Sequence, residues 1–144
     1  MKALLIGGTG TISTAISRLA IEKGWELTLL NRGNKPEFVP EGAHVLQADI
    51  NDTEKVREMI RDLEFDAVAD FIAFVPQHIE RDIALFSGKT RQYIFISSAS
   101  AYQKPPSCFR ITESTPLANP YWEYSRNKIA CEERLMHEYR TNGF

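Results

Sequence analysis

Cysteine and histidine are scarce: the 144-residue chain has two of the first, Cys108 and Cys131, and three of the second. Residues so few and so scattered form neither a disulfide framework nor a metal-ligand spacing. A stapled secreted scaffold and a zinc site are excluded, and a reducing compartment, the cytoplasm, is expected. Charge of one sign is lacking too. The formal net charge is −2 and the pI about 5.9, which leaves no basic footprint for nucleic acid or an acidic membrane. There is no long apolar run: "AVADFIAFV" is interrupted by Asp70 and too short to span a bilayer. The apolar opening runs straight into glycines with no cleavage pattern, so no secretory leader is expected. Repeats, low-complexity tracts and linkers are also missing. What is present is ordinary, 43% hydrophobic and 25% charged, which suits one soluble globular domain over residues 1–144.

Short apolar runs alternate with helical patterns. "KALLIG" reads as a buried strand, followed by a helix from Thr11 to Lys23 that Gly24 closes. "WELTLL" and "AHVLQA" read as the next strands, the latter leading into a helix over "TEKVREMIRDL". "DAVADFIAF" is a fourth strand, Pro76 opens the helix "PQHIERDIALF", and "QYIFISS" is a fifth strand. A long loop over residues 99–119 precedes a last helix from Pro120 through Arg140, ended by Asn142-Gly143. The strands are apolar on both faces, as in a sheet covered on both sides. Strict βα alternation predicts an α/β fold: a Rossmann-like, doubly wound parallel sheet of five strands in the order 3-2-1-4-5.

The junction "LLIGGTGTIST" carries Gly7, Gly10 and Ser13 at three-residue spacing. Glycines here let the chain turn sharply and let a pyrophosphate approach the backbone. The helix from Thr11 and Ile12 onward then aims free N–H groups and a positive dipole end at the phosphates. Ser13 replaces the usual third glycine, so slight displacement of the helix is expected. In such folds an acidic residue at the end of the second strand holds the adenosine ribose. This chain has Asn31 and then Arg32, which removes a charge that would repel a 2′-phosphate and adds a guanidinium that could clamp it. NADP is therefore favoured over NAD, although "NRGNKP" also has the composition of a plain solvated turn.

The glycine spacing and the wording "GGTGTIS" resemble the extended and atypical short-chain dehydrogenase/reductases, the NAD(P)-dependent epimerase/dehydratase family, over its amino-terminal part. The resemblance implies that Asp49 and Ile50 contact the adenine, with an N-cap or loop role equally open for Asp49. It implies that Phe71 and Ala73 line the cofactor, and that Ser98, a Ser-x-x-x-Tyr ahead of Tyr102, fixes the substrate oxygen. It also implies a carboxy-terminal substrate lobe after Phe144, so this chain is expected to bind a dinucleotide with little turnover of its own.

Tyr124 and Lys128 form a Tyr-x-x-x-Lys pair, side by side on one helical face. A free phenol is a poor base at neutral pH. A cation about 4 Å away at an effective dielectric of about 20 offers roughly 4 kcal/mol to a phenolate. The pair therefore suits general acid/base work, and the resemblance adds that Lys128 holds the nicotinamide ribose. The bland reading makes Tyr124 a core aromatic beside Tyr121 and Trp122, with Lys128 snorkelling. Dehydratases of the family carry an Asp-Glu pair where this chain has Ala99 and Ser100, which disfavours dehydration. The expected function is an epimerase-type oxidoreductase acting on a nucleotide-sugar or similar substrate. A ketone or aldehyde reductase, and an RNA-binding or cofactor-sensing relative, stay open. A homo-oligomer is expected, with no nucleic acid, membrane or metal partner.

Overall fold

The computed structural model describes residues 1–144. Strands β1 (Lys2–Ile6), β2 (Glu26–Asn31), β3 (His44–Gln47), β4 (Ala67–Asp70) and β5 (Tyr93–Phe95) form one parallel sheet in the order β3-β2-β1-β4-β5. They alternate with helices α1 (Ser13–Glu22), α2 (Thr53–Met59) and α3 (Pro76–Phe86), and α4 (Glu123–Asn142) follows β5. This is the Rossmann-like topology read from the pattern. The chain divides into two compact units, Met1–Ile72 with Arg81–Ile96, and Ala73–Glu80 with Ser97–Phe144. No helix is long and apolar enough to cross a membrane.

In the first unit, the apolar residues of β1, β2 and β4 are almost all buried. Ala3, Leu5, Ala20, Leu27, Leu29 and Ala69 make one cluster of the core. Complete covering does not extend to the rims: β3 is largely exposed and β5 only half-buried. An outer strand has a neighbour on one side only, so its side chains are covered less.

The elements are shorter than the periodicity implies, for local reasons. β4 stops at Asp70 because that carboxylate accepts the Ile72 N–H at 2.5 Å and turns the chain. α2 ends at Met59, and the residues after it make i to i−3 bonds, Arg61 N–H to Glu58 and Leu63 N–H to Ile60. In the second unit, Asn119 Oδ1 accepts the Tyr121 N–H at 3.1 Å, an Asx turn that delays α4 to Glu123. Gly143, at φ 76°, closes that helix with its N–H on the Tyr139 carbonyl.

Candidate functional site

In the first unit the glycine turn is stitched by hydroxyls. Ser13 Oγ donates to the Gly7 carbonyl at 2.6 Å and accepts the Gly10 N–H at 2.8 Å. Ser17 Oγ donates to the Gly8 carbonyl at 2.8 Å, and Thr14 Oγ1 to the Gly10 carbonyl at 2.7 Å. Ser13 therefore does more than substitute for a small glycine: its hydroxyl holds the turn together. α1 begins at Ser13, later than Thr11, with Ile12 at the N-cap and no side-chain cap. The first N–H groups of α1 thus lack side-chain partners at an exposed helix start, where Thr11 and Ile12 are open to solvent. Gly7 sits at φ +78°, and a Cβ there would come within 2.7 Å of Ile72 Cγ2. Gly7→Ala is expected to destabilise the protein by about 1–3 kcal/mol, read by urea denaturation.

Asn31, only 9% exposed at the end of β2, carries a buried side-chain nitrogen with no partner. An orphaned buried donor is costly unless something accepts from it. Arg32 beside it is exposed. Asp49 is also exposed, and its carboxylate accepts the Asn51 N–H at 2.9 Å, so it shapes its own loop, while Ile50 is buried in the core. Phe71 packs on the β1–β2 core cluster.

Sequence reasoning missed a charged cluster in this unit. Asp70 and Asp82 are both fully buried, and Arg81 joins them, its guanidinium bonding Asp70 Oδ2 at 3.1 Å, Asp82 Oδ1 at 2.8 Å and Asn51 Oδ1 at 2.8 Å. Tyr93 donates its phenol proton to Asp82 Oδ2 at 2.6 Å. Burial, then the hydrogen bond and charge of Asp82, push the Asp70 carboxyl up to about 8, against the Ile72 N–H and Arg81. Burial and the two carboxylates drive the Tyr93 phenol well above its ordinary range. The one available signal was Asp70 itself, a charge inside an apolar strand.

In the second unit Lys128 is 2% exposed. Its ammonium donates to the Ala73 carbonyl at 2.7 Å and lies 5.0 Å from the Phe74 ring centroid and 5.6 Å from that of Tyr124. The lysine does not snorkel. The half-buried Tyr124 ring packs on Trp122 at 4.8 Å and Phe74 at 6.4 Å. Phe74 is steadied by its own N–H, which donates to His78 Nδ1 at 3.1 Å. Ala73, expected to line the cofactor, supplies the carbonyl that orients Lys128.

Ser98 ends the extended chain after β5 and caps the short turn Ala99–Ala101, accepting the Ser100 N–H at 3.2 Å. Its Oγ lies 2.8 Å from Ser100 Oγ, which is bonded in turn to Ser125 on α4 at 2.9 Å. Ser98 thereby reaches the helix of Tyr124 and Lys128. Its neighbour Ser97 donates to the Glu132 carboxylate. No group of histidine, cysteine and carboxylate side chains could hold a metal ion.

A five-stranded parallel sheet with a glycine turn after β1 defines the class: an α/β protein built on the dinucleotide-binding fold. Residues 3–88 match the NAD dependent epimerase/dehydratase family, and the chain belongs to that family. It is 28% identical to a UDP-glucose 4-epimerase of Lactobacillus helveticus across 99% of this chain and 48% of that one. It is also 28% identical to the chloroplast stem-loop binding protein of 41 kDa b of Arabidopsis thaliana, over 72% of this chain and 30% of that protein. Among solved structures, the UDP-glucose 4-epimerase of Thermus thermophilus in complex with NAD shares the fold at a TM-score of 0.78 and 24% identity, covering 100% of this chain and 52% of that one. The chain thus spans about half the length of the epimerases it matches.

Proposed function

We propose that this chain supplies the cofactor-holding and acid/base residues of an NAD(P)-dependent epimerase-type oxidoreductase acting on a nucleotide-sugar. The observation that carries the reading is Lys128, a buried ammonium fixed by a backbone carbonyl and turned toward the Tyr124 ring. A lysine is rarely buried without a task, and this one is held beside a phenol ring.

The residues present fit a dinucleotide. The uncapped start of α1 suits a diphosphate, and the orphaned Asn31 nitrogen is a donor for a ribose oxygen. A dinucleotide held there would supply reversible hydride transfer. Tyr124 accepts the hydroxyl proton as the carbonyl forms and gives it back on reduction. Lys128 is held beside the Tyr124 ring by the Ala73 carbonyl, and Ser98 would hold the substrate oxygen. Return of the hydride to the opposite face of the same carbonyl would invert that carbon and make the reaction an epimerisation, consistent with the UDP-glucose 4-epimerases among the relatives.

Asn31 and Arg32 favour a second reading, net reduction of a ketone or aldehyde with NADPH. Titrating NADPH and NADH by fluorescence tests both the fold's task and the cofactor. NADPH is expected to bind about tenfold more tightly, and Arg32→Ala to erase the difference, since a charge-assisted bond is worth roughly 1.5–3 kcal/mol. If a folded sample binds neither cofactor, the enzymatic reading fails. Tight, salt-sensitive binding of structured RNA instead would favour a function like that named for the stem-loop binding relative. A cytoplasmic homodimer is the state we propose.

A further inference from the structure

Four polar side chains of the second unit form a continuous chain that the acid/base roles do not use. Asn119 Nδ2 donates to the Ser100 carbonyl at 2.7 Å and reaches Ser125 Oγ at 3.3 Å. Ser125 Oγ donates to Ser100 Oγ at 2.9 Å, and Ser100 Oγ lies 2.8 Å from Ser98 Oγ. Ser125 is fully buried and Asn119 nearly so.

The direction of the protons as far as Ser100 follows from the ends. A backbone carbonyl only accepts and a backbone N–H only donates. Asn119 meets one of each: its Nδ2 faces the Ser100 carbonyl, and its Oδ1 faces the Tyr121 N–H. The amide can sit only one way round. Its second N–H therefore points at Ser125 Oγ, whose own proton must go onward to Ser100 Oγ. Ser100, having accepted, can send its proton to Ser98, which leaves the Ser98 proton free; the reverse direction would leave that of Ser100 free.

In the first direction Ser98 Oγ accepts twice, from the Ser100 hydroxyl and the Ser100 N–H. Its own proton is left to point away from Ser100. Ser97 cannot compete for the role, because its hydroxyl is committed to Glu132.

We propose that Asn119 polarises a relay through Ser125 and Ser100 that holds Ser98 as a hydrogen-bond donor toward the substrate oxygen. Asn119, Ser125 and Ser100 are positioning residues. The consequence for substrate chemistry is specific, and it rests on the proposed function. A serine fixed as a donor suits a carbonyl oxygen, which only accepts, so the relay favours the keto form over the alcohol.

Neutron diffraction from perdeuterated crystals of the full chain decides the proton directions. Deuterium on Ser125 should point to Ser100, that on Ser100 to Ser98, and that on Ser98 away from Ser100. Deuterium running from Ser98 to Ser100 overturns the inference. In turnover, Ser125→Ala should lower kcat about fivefold, the factor for a hydrogen bond of about 1 kcal/mol, with KM and dinucleotide affinity unchanged. Ser100→Thr, which keeps the hydroxyl, should retain the wild-type kcat. A Ser125→Ala protein with wild-type kcat, or with KM and affinity lost alongside, also overturns it. Failure to bind either dinucleotide overturns the functional reading alone, and the deuterium positions still decide the relay.

Discussion

Replacing Asp70 by Asn is expected to flatten the fall in stability that the wild-type protein shows as pH rises from the ordinary carboxylate range to about 8. The sign follows from linkage. In the folded protein Asp70 holds its proton up to about 8, because burial and the Asp82 charge oppose ionisation. In the unfolded chain the same carboxyl ionises in the ordinary range near 4. Between these limits the native state binds more protons than the unfolded state, so stability declines with pH and the loss is complete near 8. The asparagine amide of the Asp70→Asn variant cannot ionise, and it can donate toward Asp82 where the protonated acid would.

Two other carboxylates do not blur this comparison. Asp66, held low mainly by the Lys2 N–H, and Glu138, held low mainly by Arg134, lose their contributions only as pH falls, and both proteins share them. The measurement is the melting temperature of the two proteins at pH 5, 6, 7 and 8. In a domain of this size 1 kcal/mol moves it by roughly 4 °C, so the wild type should fall behind the variant by several degrees. A gap that stays constant with pH would show that Asp70 is ionised throughout. Arg81→Leu should be worse at every pH, since it leaves two buried carboxyl groups without their cation.

Tyr124→Phe is the second large effect. Dinucleotide affinity is expected to stay within about twofold, because the ring packing on Trp122 and Phe74 survives the loss of one oxygen. Under the proposed function, hydride transfer between cofactor and substrate should fall by about 10²- to 10⁴-fold in kcat, the usual contribution of a positioned acid/base group. Following bound cofactor at its reduced-nicotinamide absorbance gives the rate directly. Unchanged rates would remove the phenol from the mechanism and leave Lys128 as a buried structural cation. Lys128→Met separates the roles further. It should also slow transfer, and it should lower stability as well, because it leaves the Ala73 carbonyl without the ammonium.

Much of the fold was readable along the chain. The strand order followed from apolar runs alternating with helical spacing, a local property of neighbouring residues. The glycine turn was readable as well, because the φ of Gly7 is a demand made at one position. Element ends were less legible, since side chains decided them. Nothing in "AVADFIAF" says that Asp70 will fold back onto the Ile72 N–H, and nothing before "YWEYSRNK" says that Asn119 will hold Tyr121 out of the helix.

The candidate site divides in the same way. The Tyr-x-x-x-Lys spacing placed two side chains on one face, because an α-helix repeats every 3.6 residues whatever surrounds it. That Lys128 is buried, and that a carbonyl 55 residues away in sequence holds it, required the folded chain. The Asp70–Arg81–Asp82–Tyr93 cluster and the Asn119–Ser125–Ser100–Ser98 relay likewise join residues that no local pattern relates. Periodicity and turn chemistry act between near neighbours, so the sequence by itself determined the sheet, the glycine turn and the phenol–ammonium pair. Burial, charge pairing and side-chain hydrogen bonding depend on which distant segments meet, and tertiary structure alone decided those.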